Sequence, residues 1–97
     1  MWAVAQLSVR RGRASSKGML TPVQLRAARV LVRWSRAALA ERSGTGADTI
    51  QDFEARGSDP KLSTLHKWRR ALEKAGVVFI DGTDTEGPGV RLREPQR

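Results

Sequence analysis

Cysteine is absent from this sequence of 97 residues. The chain therefore cannot form disulfides, zinc sites with thiolate ligands or a cysteine nucleophile. Long apolar runs are also missing, since no stretch approaches the roughly 20 residues that a membrane-spanning helix needs. The N-terminal WAVAQL is only mildly apolar and has no basic region before it, unlike a signal peptide. We therefore expect a cytoplasmic protein that does not bind membranes.

The sequence also has no recognisable arrangement of catalytic groups. His66 is the only histidine, and it has no Asp or Glu at the spacing of metal ligands. The glycines of SGTG and GTDTEGPG lack the lysine and the strand-turn-helix context of a phosphate-binding loop. No nucleophile with a base and no pair of carboxylates has a catalytic spacing. The sequence predicts a protein that is not an enzyme and has no metal, cofactor or small-molecule ligand.

Positive charge is what the sequence has in excess. Eighteen Lys and Arg residues against ten Asp and Glu residues give a formal net charge of +8 and a sequence pI near 11.5. Residues 1–18 and 19–76 carry this surplus, whereas residues 77–97 have one more acid than bases. A strongly basic chain is typical of a protein that binds a polyanion. We expect the polyanion to be double-stranded DNA, with solubility as the simpler explanation of the charge.

Residues 36–56 have the pattern of two short helices joined by the turn SGTG at residues 43–46. Gly44 can adopt the left-handed conformation that lets the chain turn without a steric penalty. Ile50 and Phe53 are three residues apart and therefore share the inner face of the second helix. The stretch predicts a helix-turn-helix.

The outward face of the second helix carries the residues that we expect to read DNA bases. In a helix-turn-helix protein this face lies in the major groove, which predicts base contacts by Ala47, Asp48, Gln51 and Asp52. Phosphate repels the two carboxylates, although a carboxylate can accept a hydrogen bond from the cytosine amino group. A second hypothesis therefore stays open, in which the domain is an antitoxin or antagonist that binds another protein.

Capping signals and apolar periodicity predict the remaining helices. Thr21 and Gln24 form a Thr-x-x-Gln capping box at the start of a first helix. We expect this helix to end at Trp34 and Ser35 to cap the next one. Residues 63–75 keep the helical spacing of apolar side chains and predict a fourth helix.

After residue 76 the apolar period changes from 3.6 to 2, which predicts a β-hairpin. Two strands alone are marginally stable in water, so the hairpin must pack on the helices, pair with another chain, or both. Pairing across a two-fold axis would give a homodimer, while the alternative is a hairpin that only covers the monomer core. The residues predicted to form the dimer contact are Val78, Phe79, Ile80, Val90 and Leu92.

From Leu20 to about Arg93 the chain resembles the Cro/C1-type (XRE) family of bacterial and phage helix-turn-helix regulators. The resemblance rests on WSRAALAERSG, TIQDFEARG, LSTLHKWRRALEKAGVVFI and GPGVRLR, which occur here in the family's order. It implies a mainly α fold, a four-helix lambda-repressor-like helix-turn-helix domain with a C-terminal β-hairpin. It also implies an inward ion pair between Arg29 and Glu54.

The resemblance further implies contacts with the DNA backbone. Arg36 lies in the first turn of the helix that precedes the SGTG turn, where a cation is mildly unfavourable for the helix dipole and where family members bind phosphate through a polar residue. The residues expected at phosphates are Arg26, Arg33, Ser35, Arg36, Thr45, Gly46 and Thr49. At two of these the chain departs from the family, because an apolar residue is common at Thr45 and a Ser cap at Gly46.

These features predict three segments. Residues 1–18 are expected to be a disordered basic arm, or the product of an over-long gene start before Met19. Residues 19–76 are expected to be the helix-turn-helix DNA-binding domain, and residues 77–97 the dimerising hairpin and a tail. The predicted function is that of a transcriptional regulator, a repressor that binds a palindromic operator as a homodimer. Repression is inferred from size, since occupying an operator is the simplest action for so small a protein.

Overall fold

A computed structural model of the protein describes residues 20–95, which form four helices followed by two strands. The elements are α1 (Pro22–Leu31), α2 (Arg36–Ser43), α3 (Ala47–Arg56), α4 (Leu62–Lys74), β1 (Val77–Ile80) and β2 (Gly89–Leu92). This confirms the predicted fold class, a mainly α helix-turn-helix domain with a C-terminal β-hairpin. The expectations for residues 1–18 lie outside the described residues. Within residues 20–95, every helix is too short or too polar to cross a membrane.

Helix α1 begins with the predicted capping box. The Thr21 hydroxyl accepts from the Gln24 backbone N–H at 3.1 Å, and the Gln24 side-chain oxygen accepts from the Thr21 backbone N–H at 3.0 Å. Pro22 occupies the first helical position, where a backbone N–H would have no partner within the helix, so its absence costs no hydrogen bond. Two otherwise free donors at the helix start are thereby satisfied.

Helix α1 ends at Leu31, three residues before the predicted end at Trp34. Arg33 has a φ of +60°, the left-handed conformation in which helices commonly terminate. The Trp34 backbone N–H reaches back to the Arg29 carbonyl at 2.9 Å, and the Arg33 N–H to the Val30 carbonyl at 3.1 Å. This pair of bonds is a Schellman motif. This helix end was not predictable from the sequence, because Arg33 occupies the position that glycine usually fills.

Glycines set the ends of α2 and α3. Gly44 caps α2 with a φ of +74°, and Gly57 caps α3 with a φ of +64°. Each N–H bonds to the carbonyl four residues earlier, that of Ala40 and Phe53 respectively. The chain therefore turns sharply on either side of α3, as the predicted helix-turn-helix requires.

The core lies between the four helices and the inner face of the hairpin. Trp68 of α4 is fully buried, and its ring centroid lies 5.4 Å from that of Phe53 on α3. The largest fully buried side chains are Trp68, Leu20, Leu25, Leu39, Ile50, Leu72 and Val77. Since α3 contributes Ile50 and Phe53 to this core, its opposite face is exposed to solvent.

The hairpin is antiparallel and pairs Val77 with Leu92 and Phe79 with Val90. Cross-strand partners share a face of the sheet, and these four side chains pack against the helices. Val77 and Phe79 are only 1% and 8% exposed. The hairpin thus contributes to the monomer core, as it must if two strands are to be stable.

The five residues predicted to form the dimer contact lie on both faces of the hairpin. Phe79 is a core residue, and Val90 and Leu92 are partly buried against the same core. Side chains alternate between the faces of a strand, so Val78 and Ile80 lie on the outer face. Ile80 is 42% exposed and Val78 is partly exposed. Of the five predicted positions, these two are the ones that face outward.

Candidate nucleic-acid interface

The outward face of α3 presents the polar side chains expected to read bases. Asp48 and Gln51 are exposed, and the Asp52 side chain is half-exposed. Ala47 is partly buried and packs at the edge of the core. The four predicted base-reading residues therefore lie on α3 as the helical period requires, with Ala47 at the margin of the exposed surface.

Arg56 is a residue of this face that sequence analysis missed. Its guanidinium donates to the Asp52 carboxylate at 2.9 Å, one helical turn away. Both side chains are exposed, so the pair adds little to stability. It does place a cation beside one of the two carboxylates that phosphate would repel. The four-residue spacing of Asp52 and Arg56 was the signal available in the sequence.

Glu54, on the inner side of α3, is held by an arginine of α1. The Arg29 guanidinium donates to both Glu54 carboxylate oxygens, at 2.7 and 2.8 Å. It also donates to the Trp34 carbonyl at 2.9 Å. The Glu54 side chain is 1% exposed and that of Arg29 is 10% exposed. This bidentate geometry fixes α3 against α1.

Arg36 contacts the same carboxylate from the first turn of α2. Its Nε lies 3.2 Å from a Glu54 oxygen, while its side chain stays 42% exposed. Ser35 caps this helix by accepting from the Ala38 backbone N–H at 3.0 Å. The first turn of α2 has no acidic residue, so a guanidinium that is held there on one side and open to solvent on the other is placed to bind an anion. The two arginines around one carboxylate leave this cluster with a net positive charge.

The turn between α2 and α3 is tied to α4. Thr45 accepts a hydrogen bond from the buried Trp68 indole at 2.8 Å, and its hydroxyl lies 2.9 Å from that of Ser43. Gly46 precedes α3 without a side-chain cap, and Thr49 is exposed in the first turn. The Thr45 hydroxyl therefore has two partners within the domain, and its contact with a phosphate stays a prediction.

The two remaining predicted phosphate ligands lie on and after α1. Arg26 and Arg33 are both exposed. Arg26 also borders a shallow groove between α1 and β2, whose lining includes Val23, Val30 and Val90. Arg36 has a side-chain contact with α3, whereas no such contact of Arg26 or Arg33 is seen among residues 20–95.

His66 is exposed on α4. Among residues 20–95, no group of three or more His, Asp or Glu side chains is placed to hold a metal ion. The arrangement instead consists of an exposed helix, an adjacent cationic cluster and a braced turn, which together define a helix-turn-helix domain.

Comparison with known proteins assigns the chain to a family. A family model described as Helix-turn-helix matches residues 25–77, which is more than half of the chain. The chain therefore belongs to the XRE-type helix-turn-helix family. Members of the class are DNA-binding regulators, and the match supports that role here at this general level.

Two curated relatives also match part of the chain. Both are named Antitoxin HigA1, from the CDC 1551 / Oshkosh and the ATCC 25618 / H37Rv strains of Mycobacterium tuberculosis. Each is 46% identical over 39 residues, which is 40% of this chain and 26% of the relative. The matched part thus spans about a quarter of the length of these relatives.

Proposed function

We propose that this protein is a transcriptional repressor that binds a palindromic operator as a homodimer. Residues 19–76 form its DNA-binding domain, and residues 77–97 supply the dimer contact. The observation that carries the proposal is the exposed polar face of α3, braced from behind by the buried Arg29–Glu54 pair. A base-reading helix needs such a rigid support, because hydrogen bonds to base edges depend on position within a fraction of an ångström.

The distribution of charge supports DNA as the partner. Arg36 stands at the helix N-terminus next to α3, and Arg56 lies on α3 itself beside Asp52. Arg26 and Arg33 add exposed cations on the α1 side. Cations around the margin of a recognition helix attract the backbone, while the polar face is left to discriminate bases.

The test is a gel-shift assay with duplex DNA from upstream of the protein's own gene, repeated over a salt series. A specific complex whose log affinity falls steeply and linearly with log salt concentration is expected. Random duplex of equal length is the control. Equal affinity for both duplexes would contradict sequence-specific binding.

A substitution on α3 tests which residue gives specificity. Gln51→Ala should change the preferred sequence, because a glutamine amide can bond bidentately to adenine at roughly 1–3 kcal/mol of discrimination. Competition among duplexes with single base changes measures this preference. His66→Ala, at an exposed position of α4, is the control for unspecific damage. An unaltered preference in the Gln51 variant would remove Gln51 from the base contacts.

A second candidate function is binding of a partner protein, as an antitoxin or antagonist. The specific observation in its favour is the name Antitoxin HigA1 of the relatives that match 39 residues. Exposed carboxylates at Asp48 and Asp52 suit a basic protein surface at least as well as DNA. The candidate would be supported if Gln51→Ala or Asp48→Ala weakened a protein complex and left DNA affinity unchanged.

A further inference from the structure

Both the oxygen and the nitrogen of the Gln24 side-chain amide form hydrogen bonds within the domain. The residue is 4% exposed, in the first turn of α1. Its Oε1 accepts from the Thr21 backbone N–H, as the capping box requires. Its Nε2 donates to two carbonyls far away in sequence, that of Ile80 at 3.2 Å and that of Gly89 at 3.0 Å. The capping box needs only the oxygen, so the two bonds from the nitrogen are a separate contact.

Those two carbonyls belong to the last pair of the hairpin ladder. Ile80 ends β1, Gly89 begins β2, and the register places them opposite each other. The Gln24 amide therefore bridges the strands where the ladder stops and the turn of residues 81–88 begins. It attaches this end of the hairpin to α1. The same helix carries Arg29, which binds Glu54 of α3.

The other end of the hairpin is fastened independently. The Arg93 side chain donates to the Glu73 carbonyl of α4 at 2.8 Å, and its backbone N–H donates to the Gly76 carbonyl at 2.7 Å. Apolar contacts at the inner face resist separation but are not directional. Hydrogen bonds are directional. Polar ties at both ends therefore set the angle at which the hairpin sits on the helices.

We propose that Gln24 is a positioning residue that sets the orientation of the outer hairpin face relative to α3, and through it the half-site spacing of the operator. The inference rests on the proposed homodimer function. In a dimeric regulator the two recognition helices must lie about one DNA turn apart, roughly 34–36 Å. If Val78 and Ile80 meet a second copy, the path from one α3 to the other runs through the Gln24 tie in each protomer.

The experiment uses the full-length chain with a palindromic site that the wild-type protein selects from random duplex DNA. The probes are this site, the same site with about half a helical turn, roughly 5 bp, inserted at its centre, and a single half-site. Gln24→Met keeps the side-chain volume but removes both the Nε2 donor to the hairpin and the Oε1 acceptor of the capping box. Thr21→Val, which breaks the capping box and leaves the Gln24 amide in place, is the control for the lost cap. Val23→Met, at the neighbouring exposed position, is the matched control. Gln24→Asn, whose amide is shorter and keeps polar character, is used if Gln24→Met does not fold.

The wild type should prefer the selected spacing by about 100-fold, the low end of the gain from two linked contacts. Gln24→Met should reduce this preference below about tenfold and keep half-site affinity within about twofold, the margin for independent sites. Its β1 and β2 amides should exchange hydrogen faster, while those of α2 and α3 stay protected. Val23→Met should match the wild type.

The outcomes separate two failures. If the wild type prefers one spacing and a folded Gln24 variant keeps the full preference, the role of Gln24 is overturned and the homodimer function stands. If the variant loses half-site affinity as much as palindrome affinity, Gln24 acts on the whole fold and the inference is likewise overturned. A wild-type protein without any spacing preference would contradict the homodimer function itself, and this inference with it.

Discussion

Glu54 accepts hydrogen bonds from arginines on two other helices, so that one buried carboxylate links α1, α2 and α3. The two arginines differ in setting. Arg29 is 10% exposed and bidentate, whereas Arg36 is 42% exposed and contacts one oxygen through Nε. Solvent partly screens the half-exposed Arg36, although the carboxylate that it contacts is buried. Arg36 is therefore the member of the cluster that an anion outside the domain can reach.

This arrangement predicts an asymmetric effect of breaking the buried pair. Glu54→Leu should cost roughly 3–5 kcal/mol of unfolding free energy, because it leaves Arg29 buried without a counter-charge. Arg29→Met should cost less, since Arg36 remains to partner Glu54. The double variant should cost far less than the sum of the two. Chemical denaturation of all four proteins measures the coupling, and additive costs would contradict it.

Arg33 is the only residue other than glycine with a positive φ among residues 20–95. The left-handed conformation costs an L-residue roughly 1–2 kcal/mol relative to glycine. Its side chain is exposed, and no hydrogen bond or ion pair of that side chain with residues 20–95 explains the choice of arginine. A contact with DNA phosphate would explain it, because strained residues persist where function requires them.

Arg33→Gly should therefore change stability and DNA affinity in opposite directions. Relief of the left-handed strain should raise the unfolding free energy by up to about 1 kcal/mol, after the entropy of glycine in the unfolded chain is deducted. Loss of one phosphate contact should lower the salt slope of DNA binding by about one unit. Thermal melts and gel shifts measure the two effects.

Arg70→Ala serves as the control for this experiment, because Arg70 is an exposed base of α4 outside the proposed interface. It should leave the salt slope as it is in the wild type. A slope that stays unchanged in Arg33→Gly would remove Arg33 from the phosphate contacts.

At the scale of elements, the turn before α3 shows why this chain departs from its family. Threonine stands at position 45, where an apolar residue is common, and its hydroxyl accepts from the Trp68 indole at 2.8 Å. Trp68 is fully buried. An unpaired donor in such a place is costly. The threonine and the tryptophan therefore belong together, and they join the turn to α4.

Thr45→Val should cost about 1–3 kcal/mol in the wild type, because it leaves the Trp68 N–H without an acceptor. In a Trp68→Phe background the same substitution should be nearly neutral, since there is then no donor to satisfy. The four unfolding free energies form a double-mutant cycle. Equal costs of Thr45→Val in both backgrounds would show that the hydrogen bond does not stabilise the turn.

Local signals predicted the elements well. The bounds of α3 follow from Gly46 and Gly57, and the start of α1 follows from the capping box at Thr21. Each of these depends on residues within one helical turn. The end of α1 was missed because the left-handed position holds Arg33 instead of glycine.

Contacts between distant residues were not predictable in the same way. Gln24 looked complete as a capping residue, yet its nitrogen bonds to carbonyls 56 and 65 positions further along the chain. No spacing rule connects residues so far apart in sequence. The family resemblance placed Arg29 beside Glu54, but it did not show that Arg36 shares the same carboxylate.

At the scale of the whole molecule, exposed apolar side chains lie on two surfaces that the proposed homodimer contact could use. Ile80 is 42% exposed on the outer hairpin face, and Val78 lies two residues earlier on the same face. Val23 and Val30, on the outer side of α1, are 77% and 65% exposed. Truncation after Gly76 would not discriminate these surfaces, because it removes the core residues Val77 and Phe79. Point substitutions are needed.

The hairpin contact predicts that Ile80→Asp gives a folded monomer with much weakened affinity for a palindromic site. A charge on the outer face opposes burial against a second copy, while the core is left intact because Ile80 points away from it. Light scattering measures the mass, and gel shifts compare the palindrome with a single half-site, whose affinity should persist. Val23→Asp, which puts the same charge on α1, should remain dimeric. If Val23→Asp is monomeric and Ile80→Asp stays dimeric, the interface lies on α1 and not on the hairpin. If the wild type is monomeric well above the concentrations needed for DNA binding, the homodimer itself is contradicted.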